Sequence, residues 1–324
     1  MAQKKKFSQL AKLGKNEWWR YLFGFAIILI SWLVIGSILH LTLQVYLTQK
    51  YTPLSAQELL KLLENSEIAK INESFAPVPI GLQGLTLLSS FFVGLLAVLF
   101  VVKVIHKRAI KTLFTNRSKF SYSHFLHGFI VFLLITAVVS FVSYFFSERP
   151  GIEINFEPIN FLMLLLAACL LLPLQVMFEE LFFRSYLIQF LGLKIRNFWS
   201  LIITTGIIFT IPHLANPEVE AFGVWIILAG YLIPGMFFAG ITLVDNRLEL
   251  SYAAHLANNF FVVVFVSHEA AILLGQPLLT VTGTMEASVA DSIVSLVRFG
   301  LFCLYFFLIR KPKSNQLREI SSRS

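Results

Sequence analysis

Apolar residues run through this chain in uninterrupted stretches of about 20, the length of a membrane-spanning helix rather than a barrel strand. Polar residues gather in the short gaps between them. The runs predict eight spans, at roughly 21–46, 83–105, 125–147, 159–182, 198–213, 222–243, 249–267 and 292–309. The fourth run allows its helix to continue to about Leu193. Every backbone polar group must be satisfied within lipid, so the expected fold is an all-α, polytopic transmembrane helical bundle. Composition agrees: 57% of residues are hydrophobic, 14% are charged, and mean hydropathy is +0.76. A soluble domain carries about 25% charged residues.

Charge then orients the spans. Lys4, Lys5, Lys6, Lys12, Lys15 and Arg20 make residues 1–20 a basic tail, with Trp18 and Trp19 as interface anchors. The segment 103–124 is basic again, and Ile110, Leu113 and Phe114 suit it to rest on an anionic inner leaflet. Lys194 and Arg196 follow the fourth span, and Arg310 and Lys311 the last. Acidic residues mark the opposite side, at Glu58, Glu64, Glu67 and Glu73, at Glu148, Glu153 and Glu157, at Glu218 and Glu220, and at Glu269 and Glu286. Lysine and arginine stay inside, so both termini are expected to be cytoplasmic. Residues 54–71 have helical periodicity and are expected to lie on the outer surface. The resulting division is a tail (1–20), N-terminal spans (21–158), a core (159–267) and a closing region (268–324). The net charge of +8 is accounted for by orientation, so membrane lipids are expected partners and nucleic acid is not.

Cys169 and Cys303 lie in apolar runs and read as core residues, not as a disulfide framework. The first run is too long for a cleavable signal peptide. No internal repeat suggests two transporter halves.

Ionisable groups inside spans are costly and by default mark a functional site. Glu179-Glu180-Leu181-Phe182-Phe183-Arg184 closes the fourth run. On a helix Glu180 and Arg184 are at i and i+4 and can pair, while Glu179 points about 100° away, on the side of Gln175. The fifth run ends Phe209-Thr210-Ile211-Pro212-His213, and the seventh carries Tyr252, His255 and Asn259. Three polar clusters on neighbouring helices are economical only if they meet in one cavity. Glu179 with His213 can act as a general base on water, and His255 with Asn259 can donate to an oxyanion. The same residue types fit a zinc site with Glu179, His213 and His255 as ligands and water in the open position. His268-Glu269 begins like HExxH, but position 272 is Ile and the motif fails. His40, His106, His124 and His127 are expected to be interfacial or structural.

Together the motifs EExxxR (Glu179, Glu180, Arg184), FxxxH (Phe209, His213) and HxxxN (His255, Asn259) resemble the CPBP family of intramembrane proteases. This is the CAAX-protease and bacteriocin-processing group that includes the type II prenyl endopeptidases. The likeness spans about residues 160–267. It implies an intramembrane endopeptidase acting on a membrane-embedded peptide or lipidated protein substrate. Glu179 and His213 would activate water, His255 and Asn259 would form the oxyanion hole, and Glu180, Arg184 and Phe209 would support them. It further implies no cofactor, with zinc as the alternative. The expected setting is a bacterial cytoplasmic membrane, with the site open laterally or to the cytoplasm. Ser185 departs from the glycine common after the arginine, and its effect is expected on packing. A non-catalytic immunity protein, a scaffold and a carrier using the same cavity are the other readings.

Straight helices pose a difficulty. They would put His255 about 9 Å from the inner surface at ~1.5 Å per residue, with His213 near the outer one. Tilting, the breaks at Pro212 and Pro234, or extension of the fourth helix past the membrane would have to bring them level.

Overall fold

A computed structural model describes residues 6–65, 68–146, 151–216, 219, 223–268, 277–281 and 289–309. Lys4, Lys5, Glu67, Glu148, Glu218, Glu220, Glu269, Ile272, Glu286, Arg310 and Lys311 therefore lie outside the described residues. The long apolar runs form helices: α1 (Trp18–Tyr51), α2 (Ile80–Ile105), α3 (Tyr122–Phe146), α4 (Pro158–Leu191), α5 (Phe198–His213), α6 (Val224–Asp245), α7 (Glu249–Val264) and α8 (Val289–Ile309). Five of the eight, α1, α2, α3, α4 and α6, are long and apolar enough to cross a membrane. The chain is a helical bundle of an integral membrane protein. Helix α5 and the apolar part of α8 are shorter, and α7 carries the buried polar residues. The segment expected on the outer surface forms two short helices, Ala56–Glu64 and Ile68–Phe75.

Helix α4 is central. It packs against α2 on one side and α7 on the other, while α5 packs on α6 and α7 on α3. At the α2–α4 crossing, a Cβ on Gly94 would come within 2.6 Å of the Phe178 ring. At the α5–α6 crossing, a Cβ on Gly235 would stand 3.2 Å from the Gly206 Cα and 3.0 Å from the Phe209 ring. Small residues here let the backbones meet, which is how helices associate in lipid without a hydrophobic driving force.

Three short strands add to the all-helical expectation. Strands β1 (Ile152–Ile154), β2 (Val266–His268) and β3 (Leu279–Val281) form a sheet in the order β1-β3-β2. Ile152 pairs antiparallel with Val281, and Val266 pairs parallel with Leu279. Strand β1 precedes α4 and β2 follows α7, so β3 ties together the ends of the two helices that carry the buried carboxylates and His255.

The opposite end is pinned by polar contacts. A 3-10 helix, Phe7–Leu13, lies against the end of α4 with Phe7 fully buried. The Phe7 amide donates to Asn246 Oδ1 at 2.5 Å. His106 bonds the Lys15 carbonyl through Nδ1 at 2.8 Å, so its proton is on Nδ1 and Nε2 accepts from the Tyr186 hydroxyl at 3.0 Å. His124 Nε2 meets Asp245 Oδ2 at 2.7 Å and His127 the Tyr305 hydroxyl, while towards the other end of α1 His40 meets the Thr86 carbonyl. Each of these four histidines has a hydrogen-bond partner outside the three motifs. The basic segment differs from expectation at Leu113, which is wholly buried in the bundle instead of resting on lipid. Ser185 Oγ donates to the Leu113 carbonyl and Gln189 Nε2 to that of Thr112, so this segment caps the C-terminal end of α4.

Candidate active site

The Glu-Glu motif sits where α4 changes winding. Pro158–Glu179 is α-helical and Glu180–Leu187 is π-helical. The π form is rare, and short π segments within α-helices recur at functional sites. Every residue from Glu180 to Leu187 is buried, Glu180 and Arg184 included.

Extension of α4 to Leu191 raises Glu179 towards the depth of His213. The turn that joins α4 to α5 falls at residues 192–197, well past the expected end of the span at 182. Counting from that turn at ~1.5 Å per residue, Glu179 stands about 18 Å up α4 and His213 about 22 Å up α5. The two residues then differ in depth by about one helical turn, and His255 is brought to Glu179 by direct contact.

Glu180 is the hub. It has no exposed surface, and its Oε1 receives His255 Nδ1–H at 2.9 Å. The same oxygen lies 3.3 Å from Arg184 Nη1, an ion pair with both side chains wholly buried. Charge in such surroundings is tolerable only when paired. The Arg184 guanidinium makes no hydrogen bond among the described residues. It lies 3.9 Å over the Phe209 ring and 5.3 Å from that of Phe238, so cation–π attraction supplements the ion pair.

Glu179 is 5% exposed and has looser partners. Gln175 Nε2 donates to its Oε1 at 3.3 Å, and His255 Nε2 lies 3.5 Å from its Oε2. His255 therefore spans both carboxylates, and Phe238 stacks on its ring at 4.7 Å and 15°. Tyr252, one turn earlier on α7, donates its hydroxyl to the Pro173 carbonyl of α4 at 3.0 Å.

His213 joins through Phe209, whose ring centroid is 4.7 Å from the His213 ring and 6.2 Å from the His255 ring. His213 Nδ1 bonds the Phe209 carbonyl at 2.8 Å. A carbonyl only accepts, so the proton is on Nδ1 and Nε2 keeps a lone pair. Asn259 lies one turn beyond His255 on α7, half-buried, with its Oδ1 3.4 Å from the Asn258 amide nitrogen.

Two side chains escaped the sequence reading. Tyr231 on α6 stacks on His213 with centroids 3.9 Å apart, and its hydroxyl accepts from Asn216 Nδ2 at 3.1 Å. Phe238, two turns further on, covers His255 and Arg184. Both are aromatic residues within an apolar run, where nothing in the sequence marks them off from packing residues.

Among the described residues no three His, Cys, Asp or Glu side chains form a group able to hold a metal ion, and that includes Glu179, His213 and His255.

Two carboxylates, two imidazoles and a guanidinium, drawn from three helices of a membrane bundle, define an integral membrane protein built around a buried polar site. Residues 158–261, which contain all three motifs, match the family described as type II CAAX prenyl endopeptidase Rce1-like. Over 308 residues the chain is 29% identical to "Uncharacterized protein YyaK" of Bacillus subtilis (strain 168), covering 94% of this chain and 96% of that one. No solved structure matches the chain.

Proposed function

We propose that this protein is an intramembrane endopeptidase that hydrolyses a peptide bond of a membrane-embedded or lipidated substrate by direct attack of water. The observation that carries the reading is the buried contact of Glu179 and Glu180 with His255 of another helix, within the Rce1-like segment. That segment's likeness to the CAAX prenyl endopeptidases supports proteolysis.

In this reading Glu179 and the free Nε2 of His213 flank the water and take its proton as its oxygen attacks the scissile carbonyl. Negative charge gathers on the carbonyl oxygen, where His255 and the Asn259 amide donate hydrogen bonds. His255 already gives its Nδ1–H to Glu180, so a donor at Nε2 makes the ring an imidazolium. Collapse of the intermediate breaks the C–N bond, and the proton held by Glu179 and His213 passes to the leaving amine. No covalent intermediate and no metal enters the sequence. The cytoplasm and the lipid are the proposed sides of approach.

Glu179→Gln keeps size and hydrogen bonding but removes the base. Cleavage of a lipidated peptide reporter by the purified protein in bilayers is expected to fall by about 10²- to 10⁴-fold, the usual weight of general-base catalysis. Membrane insertion and thermal stability should stay near wild type. Undiminished cleavage by this variant would remove Glu179 from the mechanism. Activity that vanished with a chelator and returned with zinc would replace the mechanism with metal catalysis.

A further inference from the structure

An apolar groove of about 440 Å³ opens between α5, α6 and α8. Its walls include Trp199, Ile202, Gly240, Val244, Cys303 and Phe306. Trp199 lies at the start of α5, Val244 at the end of α6, and Cys303 and Phe306 in the second half of α8. All are therefore near the end of the bundle at which the chain turns from α4 into α5. Lys194 and Arg196, both exposed, stand in that turn just before α5. The space beside Gly240 is open, since a Cβ there would meet only the end of Ile202, at 3.4 Å.

We propose that this groove binds an anionic phospholipid, with an acyl chain along Gly240 and the phosphate at Lys194 and Arg196. The walls offer almost no polar surface, so a peptide would bury N–H and C=O groups that nothing there can satisfy. A hydrocarbon chain brings no such groups, and the volume lies in the range of ligand pockets, about 300–1,000 Å³. The cations give the charge complement. Basic positions beside clefts between transmembrane helices recognise anionic headgroups, and each cation near the surface adds to the attraction. Trp199, 56% exposed at the mouth, suits the headgroup boundary. The site is separate from the buried carboxylates and does not depend on the proteolytic reading.

Native mass spectrometry of the full chain tests this, using equal amounts of phosphatidylglycerol and phosphatidylcholine with identical acyl chains. Retention of phosphatidylglycerol is expected to exceed that of phosphatidylcholine by on the order of tenfold. The preference should disappear in Lys194→Gln/Arg196→Gln, while Gly240→Phe should lower retention of both lipids. Millimolar inorganic phosphate should not displace the bound lipid. Equal retention of the two lipids by wild type would overturn the proposal, as would an unchanged preference in the double variant. Displacement by phosphate alone would reduce the site to one for free anions. A dimer that excludes lipid and is broken by Gly240→Phe would assign the groove to a second copy. The double variant changes only exposed residues, so the test stands even if Gly240→Phe folds poorly.

Discussion

The His213 imidazole stacks on the Tyr231 ring, with centroids 3.9 Å apart and planes 27° from parallel. Together with the bond from His213 Nδ1 to the Phe209 carbonyl, the stack fixes which way Nε2 faces. Asn216 donates to the Tyr231 hydroxyl and steadies the ring in turn. Tyr231→Phe keeps the stacked face and loses only that hydroxyl, so cleavage should fall by no more than a few fold. Tyr231→Ala frees the imidazole. An aromatic pair is worth ~0.5–1.5 kcal/mol, and its loss in orientation should lower kcat by about tenfold. Steady-state kinetics on a lipidated reporter should place the loss in kcat and leave KM nearly unchanged.

Glu180 and Glu179 are neighbours in sequence with different duties. Glu180 neutralises Arg184 and holds His255, so Glu180→Gln leaves a buried guanidinium unpaired. Breaking a buried ion pair from one side costs ~3–5 kcal/mol. Glu180→Gln should therefore lower the melting temperature in detergent markedly, where Glu179→Gln should not. Adding Arg184→Met to Glu180→Gln removes the stranded charge and should restore most of the lost stability without restoring cleavage. A double variant no more stable than the single would show that the pair is not what Arg184 requires.

These contrasts explain what the sequence could and could not carry. The i, i+4 spacing of Glu180 and Arg184 announces their pairing, and the coordinates place them in contact. Gln175 beside Glu179 follows from the same arithmetic. The apolar runs locate the helices because lipid imposes a length and a composition on each. They do not fix how many cross the bilayer, since α5 is 16 residues and α7 mixes carboxylate, imidazole and amide with its apolar residues. Winding is hidden for a related reason: nothing in Glu180–Leu187 distinguishes a π turn from an α turn, because packing selects it. Strands β1, β2 and β3 have three residues each, too few to show alternation. The bond from Glu180 to His255 joins residues 75 apart, and only tertiary packing brings them together.

The α5–α6 crossing offers a test of packing against chemistry. Gly235 faces Gly206 and the Phe209 ring, with 3.0 Å available to a Cβ on the Phe209 side. Gly235→Ala must displace the Phe209 ring, on which the Arg184 guanidinium rests at 3.9 Å, or spread the two helices. Overpacking of this kind costs ~1–3 kcal/mol. Gly230 on the same helix has open space around an added Cβ, so Gly230→Ala is the control. Melting should drop for Gly235→Ala and not for Gly230→Ala, with cleavage following the same order.

His106 supplies a pH signature outside the membrane-spanning segments. Burial pushes its imidazole below the usual histidine range, and the nearby Arg108 and Arg20 guanidinium groups push the same way, against the bond to the Lys15 carbonyl. The folded protein thus holds His106 neutral where the unfolded chain, near the ordinary value of about 6.5, begins to bind a proton. With more protons on the unfolded state, stability rises with pH through this window. The contribution is complete above the unfolded value and is lost as pH falls through the lowered folded value. Protonation would also place a hydrogen on Nε2, which now accepts from Tyr186. Melting in detergent should therefore fall between about pH 7 and pH 5. His106→Gln can keep a bond to Lys15 but cannot titrate, and its melting temperature should fall less steeply over the same interval. An identical slope in the two proteins would move the pH dependence to another group.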